Sequence, residues 1–270
     1  MRYQVFPAPH VLSKYVRYFW SIDYQESTDF SKIIKIFADR YPRLIFQDLD
    51  GHRKIQTANG ECLPATFLTG IATADTNYIV NGKYAHLGIS FYPQALKLFF
   101  NVDAFELTNQ MPDLINFCPA DLPLRLQDGR NHQERIAILN HFLIQKLQRY
   151  GNEDHLVNDC VFDQDVSDEW LVSLWLKKYR ISERHLERKF KASVGVSPKT
   201  FLRITRFEKA LDMIKRAQFH NLSDIAYDLN YADHSHFIKE FKSFSGFTPN
   251  TFLSMQKLGE ESASFLIEKA

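Results

Sequence analysis

Cysteine is scarce in this chain, and the motifs of common enzymes are absent from it. The 270 residues include three cysteines, Cys62, Cys118 and Cys160, with no C-x-x-C spacing that would indicate a zinc or redox site. We interpret them as buried reduced thiols. The sequence also lacks a Gly-rich phosphate loop, a G-x-S-x-G turn and an H-E-x-x-H motif. We therefore predict no enzyme, no catalytic residue and no cofactor.

Long apolar runs and a strong excess of one charge are absent too. No uninterrupted run of about 18 apolar residues predicts a membrane-spanning helix, and Met1–His10 lacks the charged and then apolar segments of a leader. We expect a cytoplasmic protein with no membrane partner. The net charge is +1, but residues 166–258 carry 16 Lys and Arg against 10 Asp and Glu. This local excess either faces a polyanion or merely solvates helix surfaces.

The chain does contain a repeat, whose two copies start 51 residues apart. They read SERHLERKFKASVGVSPKTF at residues 182–201 and DHSHFIKEFKSFSGFTPNTF at residues 233–252. Aligned without a gap, the copies share apolar, cationic, Gly and Pro positions, in the pairs Leu186/Phe237, Phe190/Phe241, Lys191/Lys242, Gly195/Gly246, Pro198/Pro249 and Phe201/Phe252. Such regular similarity predicts a repeated structural unit.

Each copy carries start and stop signals for helices. Ser182 and Asp233 are N-cap residues, which accept hydrogen bonds from the first helical turn. Apolar residues then recur every four positions, and Gly195 and Gly246 suit a left-handed helix end. A Ser-Pro or Thr-Pro pair follows and begins a new helix. Each copy therefore predicts an amphipathic helix with a polar outer face.

A shorter helical stretch precedes each copy, which makes each unit a helix-turn-helix. The first stretch is Glu169–Tyr179, and the second is capped by Ser223 and ends at Asn230. A third helix, Lys199–Arg216, joins the two units. It is roughly 27 Å long at about 1.5 Å per residue. Two recognition helices held in this way can reach neighbouring major-groove segments, which lie roughly 34 Å apart.

These units resemble the DNA-binding domain of AraC/XylS-type transcription regulators. The resemblance covers Glu169–Met255 and is strongest over LSDIAYDLNYADHSHFIKEFKSFSGFTP at Leu222–Pro249. The chain departs from the family at Leu176, where Ala is usual, and at Arg180 and Asn230, where Gly usually ends the helices. The resemblance implies an all-α domain that binds double-stranded DNA and regulates transcription.

Exposed polar positions on the second helix of each unit are the candidate DNA contacts. Arg can donate two hydrogen bonds to guanine, Glu can accept from cytosine, and Ile can touch a thymine methyl group. The predicted base-reading residues are Arg184, Glu187, Arg188, His234, Ser235, Ile238 and Lys239. The predicted backbone-positioning or solvated residues are Lys191, Arg203, Arg206 and Lys242. For Glu187 the alternative is an i,i+4 ion pair with Lys191.

The first half of the chain has short apolar or alternating runs, separated by turn signals. The runs lie at residues 32–37, 43–46, 66–68, 77–80 and 86–91. Asp50-Gly51, Asn59-Gly60 and Asn81-Gly82 are hairpin signals. We predict a small antiparallel β-barrel or sandwich that ends in helices, and hence an α+β chain. The predicted domains are residues 1–150 for the sensor, 152–258 for DNA binding and 259–270 for a C-terminal tail.

The first half also resembles the cupin-like sensor domain of the same regulators. The resemblance covers Pro7–Phe117 and points to a subgroup without an assigned ligand. Enzymatic cupins hold metal with clustered histidines, whereas His10, His52 and His86 are scattered here, so we predict no metal site. The abundant aromatic residues of this half either line an effector pocket or fill the core.

A stripe of apolar residues marks the helix predicted at Gln133–Tyr150. Its members are Ile136, Leu139, Leu143 and Leu147. Such a stripe packs either on its own domain or on a second copy of the chain. We favour dimerisation, because pairing two DNA-binding domains raises the effective concentration of the second domain at the DNA.

The combined hypothesis is a sequence-specific DNA-binding transcription regulator. Its expected partners are double-stranded DNA, an unidentified small-molecule effector at the N-terminal half, RNA polymerase and a second copy of the chain. We expect residues 152–270 to fold and bind DNA alone. The alternative is an enzyme or small-molecule carrier that its C-terminal half merely localises to DNA.

Overall fold

The structure of the protein is a computed structural model, which describes residues 2–24, 31–48, 55–150, 154–163, 170–254 and 265–269. The fold is α+β, as predicted. Antiparallel sheets form the N-terminal part, and helices form the C-terminal part.

Two antiparallel sheets face each other in the N-terminal half. Their strands are β1 (Arg2–Pro7), β2 (Val16–Tyr24), β3 (Ser31–Ile36), β4 (Arg43–Asp48), β5 (Gln56–Thr57), β6 (Thr66–Thr69), β7 (Thr76–Asn81), β8 (Tyr84–Phe91) and β9 (Phe265–Lys269). One sheet has the order β1-β2-β8-β4-β6, and the other has the order β5-β7-β3-β9. The described strands therefore form a sandwich of two separate sheets rather than a closed barrel.

The three hairpin signals had different outcomes. Around Asn59-Gly60 the chain does turn back, with Gly60 N donating to Thr57 O at 2.9 Å and Thr57 N donating to Glu61 O at 2.8 Å. Asn81-Gly82 is not a hairpin, because the strands on either side of it, β7 and β8, belong to different sheets. Here the turn carries the chain across the sandwich. Asp50-Gly51 lies outside the described residues.

Three helices cover the outer face of the five-stranded sheet, namely α1 (Ala95–Phe100), α2 (Asp121–Asp128) and α3 (His132–Tyr150). Leu139 and Leu143 on α3 are fully buried in the core of this half, and Ile136 and Leu147 pack against the same core. The stripe therefore packs on its own domain, which is the first of the two alternatives that the sequence left open, and dimerisation through it stays a prediction.

Seven further helices follow, namely α4 (His155–Phe162), α5 (Trp170–Tyr179), α6 (Glu183–Val194), α7 (Pro198–Lys215), α8 (Leu222–Asp228), α9 (His234–Ser245) and α10 (Pro249–Leu253). The pairs α5–α6 and α8–α9 are the predicted helix-turn-helix units, and α7 joins them. The N-cap of α8 differs from the prediction. Asn221, not Ser223, caps α8, because Asn221 and Asp224 form a reciprocal capping box.

The two halves share a hydrophobic core. Phe37, Ala38 and Ile71 come from the N-terminal half, yet they belong to the cluster that fills the helical half. The Phe37 ring lies edge-on to Phe252 at 5.8 Å, and Ala38 N donates to Phe244 O at 2.9 Å. The chain also returns to the sandwich at its C-terminal end, where β9 pairs with β3. The end of the predicted tail is thus a strand of the N-terminal sandwich.

Candidate DNA-binding surface

Helix α6 presents the predicted reading residues of the first unit on one exposed face. Ser182 caps the helix by accepting from His185 N at 3.3 Å, and Gly195 ends it with a φ of 103°. Leu186 and Phe190 are fully buried, and Phe190 stacks on Trp175 of α5 at 6.1 Å. Packing against α5 therefore fixes which side of α6 faces outward. The exposed face holds Arg184, Glu187, Arg188 and Lys191.

The side chains of this face are largely available to a partner. Arg188 Nη2 lies 3.4 Å from His185 Nδ1. Among the described residues, no ion pair joins Glu187 to Lys191, so the alternative predicted for Glu187 is not formed. The face lines a groove of about 710 Å3, whose opposite wall includes Asp103 and the exposed Phe105.

Helix α9 presents the corresponding face of the second unit. Asp233 caps it by accepting from His236 N at 2.7 Å, and Gly246 ends it with a φ of 76°. Phe237 and Phe241 are fully buried below it. The outward positions are His234, Ser235, Lys239 and Lys242, which are exposed, and Ile238, which is half-buried. Both predicted reading faces are therefore on the surface.

A buried carboxylate fixes α9 to the joining helix α7. The Glu240 side chain is 2% exposed and lies 2.7 Å from Arg203 Nε and 2.8 Å from Arg206 Nη2. The Arg206 guanidinium also lies 4.3 Å from the centre of the Tyr231 ring. Burial, together with the negative charge of Glu240, raises the pKa of the Tyr231 hydroxyl. Charged groups in this position are costly to bury unless paired, and here each has its partner.

This cluster changes the predicted set of phosphate contacts. The Arg206 side chain is 11% exposed and donates to Glu240 through both Nε and Nη2. Its role is therefore structural, and we exclude it from the DNA-contacting residues. Arg203 also donates to Glu240, but about half of its side chain remains exposed. Sequence spacing placed both arginines on α7, but only the tertiary structure brings Glu240, more than 30 positions away, against them.

A second polar cluster links α7 to the sandwich. Arg40 N donates to Glu208 Oε1 at 2.9 Å, and Arg40 Nη1 donates to Thr205 Oγ1 at 3.1 Å. Burial raises the pKa of Glu208 to about 7, although the charge of Arg40 opposes this shift. Sequence reasoning missed Arg40 and Glu208, because they lie 168 positions apart and belong to no motif.

An apolar pocket of about 130 Å3 lies between the two sheets. Its apolar walls include Trp20, Ile34, Ile36 and Ile45, and its polar groups include His86. Burial lowers the pKa of His86 to about 4, so the imidazole is neutral at physiological pH. Trp20 is 4% exposed, and its indole Nε1 has no hydrogen-bond partner among the described residues. Of the predicted aromatics, some line this pocket and others fill the core.

The structure also shows where the possible metal ligands and the three cysteines lie. No group of three His, Cys, Asp or Glu side chains in the described part of the chain could hold a metal ion. Cys160 is buried, and burial raises its pKa to about 12. Cys62 is exposed and Cys118 is half-buried, so the prediction of three buried thiols holds for Cys160 alone. No helix within the described ranges is long and apolar enough to cross a membrane.

Comparisons with known proteins follow the same division of the chain. Residues 175–255 match the family described as Helix-turn-helix domain, and residues 4–113 match a Domain of unknown function (DUF6597). An uncharacterized HTH-type transcriptional regulator of Haemophilus influenzae is 24% identical over 179 residues. That alignment covers 57% of this chain and 59% of the relative, so the chain spans about three fifths of the relative's length.

Solved structures of ToxT from Vibrio cholerae are also similar. ToxT from strain O395 is 14% identical, with a TM-score of 0.45 over 87% of this chain and 96% of that chain. ToxT from strain SCE256, solved with a bound unsaturated fatty acid, is 16% identical, with a TM-score of 0.44 over 88% and 96%. The two capped units on one joining helix and the family match over residues 175–255 show that the C-terminal half of this chain contains a double helix-turn-helix domain, similar to the DNA-binding domain of AraC/XylS-type regulators.

Proposed function

We propose that this chain is a sequence-specific DNA-binding transcription regulator whose N-terminal half senses a small molecule. The observation that supports this proposal best is the pair of exposed reading faces, on α6 and α9, joined by the 18-residue helix α7. That helix is roughly 27 Å long, close to the roughly 34 Å repeat of duplex DNA. A regulator of chromosomal DNA acts in the cytoplasm, with RNA polymerase as its expected partner.

The two units are proposed to divide the work of recognition. Helix α6 offers Arg184, Glu187 and Arg188, which can form directional hydrogen bonds with base edges. Helix α9 offers Ile238 for apolar contact. The polar side chains beside it, His234, Ser235 and Lys239, can form fewer hydrogen bonds with bases than those of α6. Lys191 and Lys242 occupy equivalent positions on the two helices, where a cation can bind a phosphate. The first unit therefore contributes most of the discrimination between bases.

We infer that the effector binds in the pocket between the sheets, and the packing suggests how it acts on the helical half. Ile36 lines the pocket, and the next residue, Phe37, is buried in the helical core. Ile71 belongs both to the pocket wall and to that core. A ligand that moves either isoleucine would shift residues that contact α9 and α10. The pocket's walls favour an apolar ligand with a hydrogen-bonding group near His86 or Trp20.

In the first step of the test, genomic DNA fragments that bind to the full chain are sequenced. Their shared bases define a DNA sequence motif. On that motif, Arg188→Ala should cost about 1–3 kcal/mol of binding free energy and relax one base position. Lys242→Ala should weaken binding to all sequences alike and reduce the salt slope by about one. Binding is measured by fluorescence anisotropy at several salt concentrations.

Arg216→Ala is the matched control, because Arg216 is an exposed arginine that pairs with Asp212 at the end of α7 and belongs to neither reading helix. Its DNA affinity should equal that of the unmodified chain. The proposal fails if the bound fragments share no motif. The division of work between units fails if Arg188→Ala and Lys242→Ala reduce discrimination equally.

A further inference from the structure

A cleft of about 990 Å3 lies where the sensor helices meet the first helix-turn-helix unit. Phe100 of α1 and Lys146 of α3 form part of its wall on the sensor side. Asn158 of α4 and Ser193 of α6 form part of its wall on the other side. None of its lining residues lines the pocket between the sheets or the groove beside α6. The cleft is therefore a separate site that reaches both halves of the chain.

The lining of the cleft is polar without a net charge. Its charged side chains are Lys97, Lys146, Glu106 and Asp154, whose formal charges cancel. Lys97 pairs with Asp103, Asp154 pairs with Lys189, and Lys146 Nζ lies 5.6 Å from the centre of the Phe142 ring. Such a site does not select a strongly charged ligand, since no unbalanced charge would offset the cost of removing that ligand from water.

Side-chain amides are the most frequent polar groups of this lining. They belong to Gln94, Asn101, Asn116 and Asn158, and the hydroxyls of Tyr15 and Ser193 lie among the same residues. An amide offers both donors and an acceptor, and a hydroxyl donates and accepts at one atom. These are the groups that pair with ligand hydroxyls, each of which also donates and accepts. Leu98 and Phe117 add apolar surface beside them.

Gln94 adds evidence that the lining has unused hydrogen-bonding capacity. The residue is 7% exposed, and its Nε2 donates to Lys14 O at 3.2 Å. Its Oε1 is buried and has no partner among the described residues. A buried acceptor without a partner costs about 1–3 kcal/mol. Rotation of the Gln94 side chain toward the cleft would let this oxygen accept a hydrogen bond from a ligand hydroxyl and would remove that cost.

We propose that this cleft binds a neutral polyhydroxylated molecule of mono- or disaccharide size. The lining has no net charge, the amides and hydroxyls match ligand hydroxyl groups, and the volume lies within the range of small-molecule sites. The bound molecule contacts α4 and the last turn of α6, so it joins the sensor helices to the first DNA-reading unit.

Binding is tested on the full chain without DNA, so the result does not depend on the function proposed above. Saturation-transfer NMR is run with a panel of neutral monosaccharides, disaccharides and sugar alcohols, and with sugar phosphates for comparison. Asn158→Leu removes one amide from the cleft, and Ser193→Trp fills the cleft from α6. Gln148→Leu is the matched control, because Gln148 is an exposed amide on α3 outside the cleft.

At least one neutral polyol should bind the unmodified chain and the Gln148→Leu variant equally. Asn158→Leu should weaken binding about tenfold, the loss expected for one hydrogen-bonding group, and Ser193→Trp should abolish it. Circular dichroism identifies any variant that fails to fold, in which case the other variant decides. The proposal is overturned if no neutral polyol binds, if only the sugar phosphates bind, or if binding is the same in all folded variants.

Discussion

Single buried charges determine much of how the helical half is assembled. Glu240 connects α9 to two arginines of α7, and Glu208 connects α7 to Arg40 of the sandwich. In both places the carboxylate and its cationic partner lie far apart in the sequence. Removing one partner leaves the other buried without a counter-charge, which costs more than the net contribution of an intact pair.

Replacing Glu240 tests this argument at the residue scale. Glu240→Ala leaves Arg206 buried and unpaired, so the free energy of unfolding should fall by about 3–5 kcal/mol. Asp212→Ala is the control, because it breaks an exposed pair with Arg216, which is worth at most about 1 kcal/mol. Urea unfolding followed by circular dichroism measures both. Similar losses in the two variants would show that the buried Glu240 cluster contributes no more to the free energy of unfolding than an exposed ion pair does.

His86 predicts a pH dependence of stability with a definite sign. Burial lowers its pKa from the ordinary 6.5 to about 4 in the folded chain, although nearby Asp23 and Asp48 act to raise it. Between these values the unfolded state binds more protons, so stability falls as the pH falls. The loss should reach about 3 kcal/mol by pH 4.

The measurement is the free energy of unfolding at pH 7 and pH 4, compared between the unmodified chain and His86→Gln. The unmodified chain should lose about 3 kcal/mol more than the variant. His234→Gln, which replaces an exposed histidine of α9, should lose as much as the unmodified chain. An equal loss in the unmodified chain and His86→Gln would rule out His86 as the source.

At the scale of elements, the end of α6 is fixed by a close contact with the N-terminal half. Gly195 has a φ of 103°, and a Cβ at this position would lie 2.8 Å from Thr108 Oγ1 and 3.0 Å from Ala104 O. Thr108 Oγ1 also donates to Gly195 O at 2.9 Å. The glycine therefore serves two purposes, since it permits the left-handed helix end and lets the 3-10 helix Ala104–Leu107 approach α6.

Gly195→Ala and Gly60→Ala separate these two purposes. Gly60 also has a positive φ, but a Cβ there would meet nothing within 4 Å. Both substitutions introduce backbone strain, and only the first adds a clash between elements. Gly195→Ala should therefore lower the free energy of unfolding by about 1–3 kcal/mol more than Gly60→Ala. Urea denaturation provides the comparison, and equal losses would mean that the close contact relaxes without cost.

At the scale of the whole molecule, the two halves do not have independent cores. Phe37 of the sandwich is fully buried among residues of the helical half, within 6.4 Å of Phe247 and 5.8 Å of Phe252 between ring centres. A fragment of residues 152–270, which the sequence predicted to fold alone, lacks this side chain. We now expect that fragment to be less stable than the same residues in the full chain.

Phe37→Ala tests the shared core directly. Truncating a fully buried phenylalanine should cost about 3–5 kcal/mol, and the loss should appear in the unfolding of the helical half as well as the sandwich. Phe105→Ala is the control, because the Phe105 side chain is 51% exposed. Hydrogen exchange of amides in α9 and α10 reports on the helical half. Unchanged exchange there would show that the two cores are independent.

Local signals in the sequence determined the elements of this protein. Caps such as Ser182 and Asp233, the left-handed glycines Gly195 and Gly246, and the spacing of apolar residues act within a few positions of one helix. They therefore predicted both helix-turn-helix units and their exposed faces. The runs in the first half likewise predicted β3, β4 and β6 to β8 within one or two residues of their bounds.

Only the tertiary structure decided how these elements are arranged. The Asn81-Gly82 turn crosses between sheets, the α3 stripe packs on its own domain, and Arg206 is buried against Glu240. Each outcome depends on contacts between residues far apart in the sequence. An apolar stripe or an arginine has the same local pattern whether its partner is solvent, DNA or another part of the chain, so the pattern alone could not choose between them.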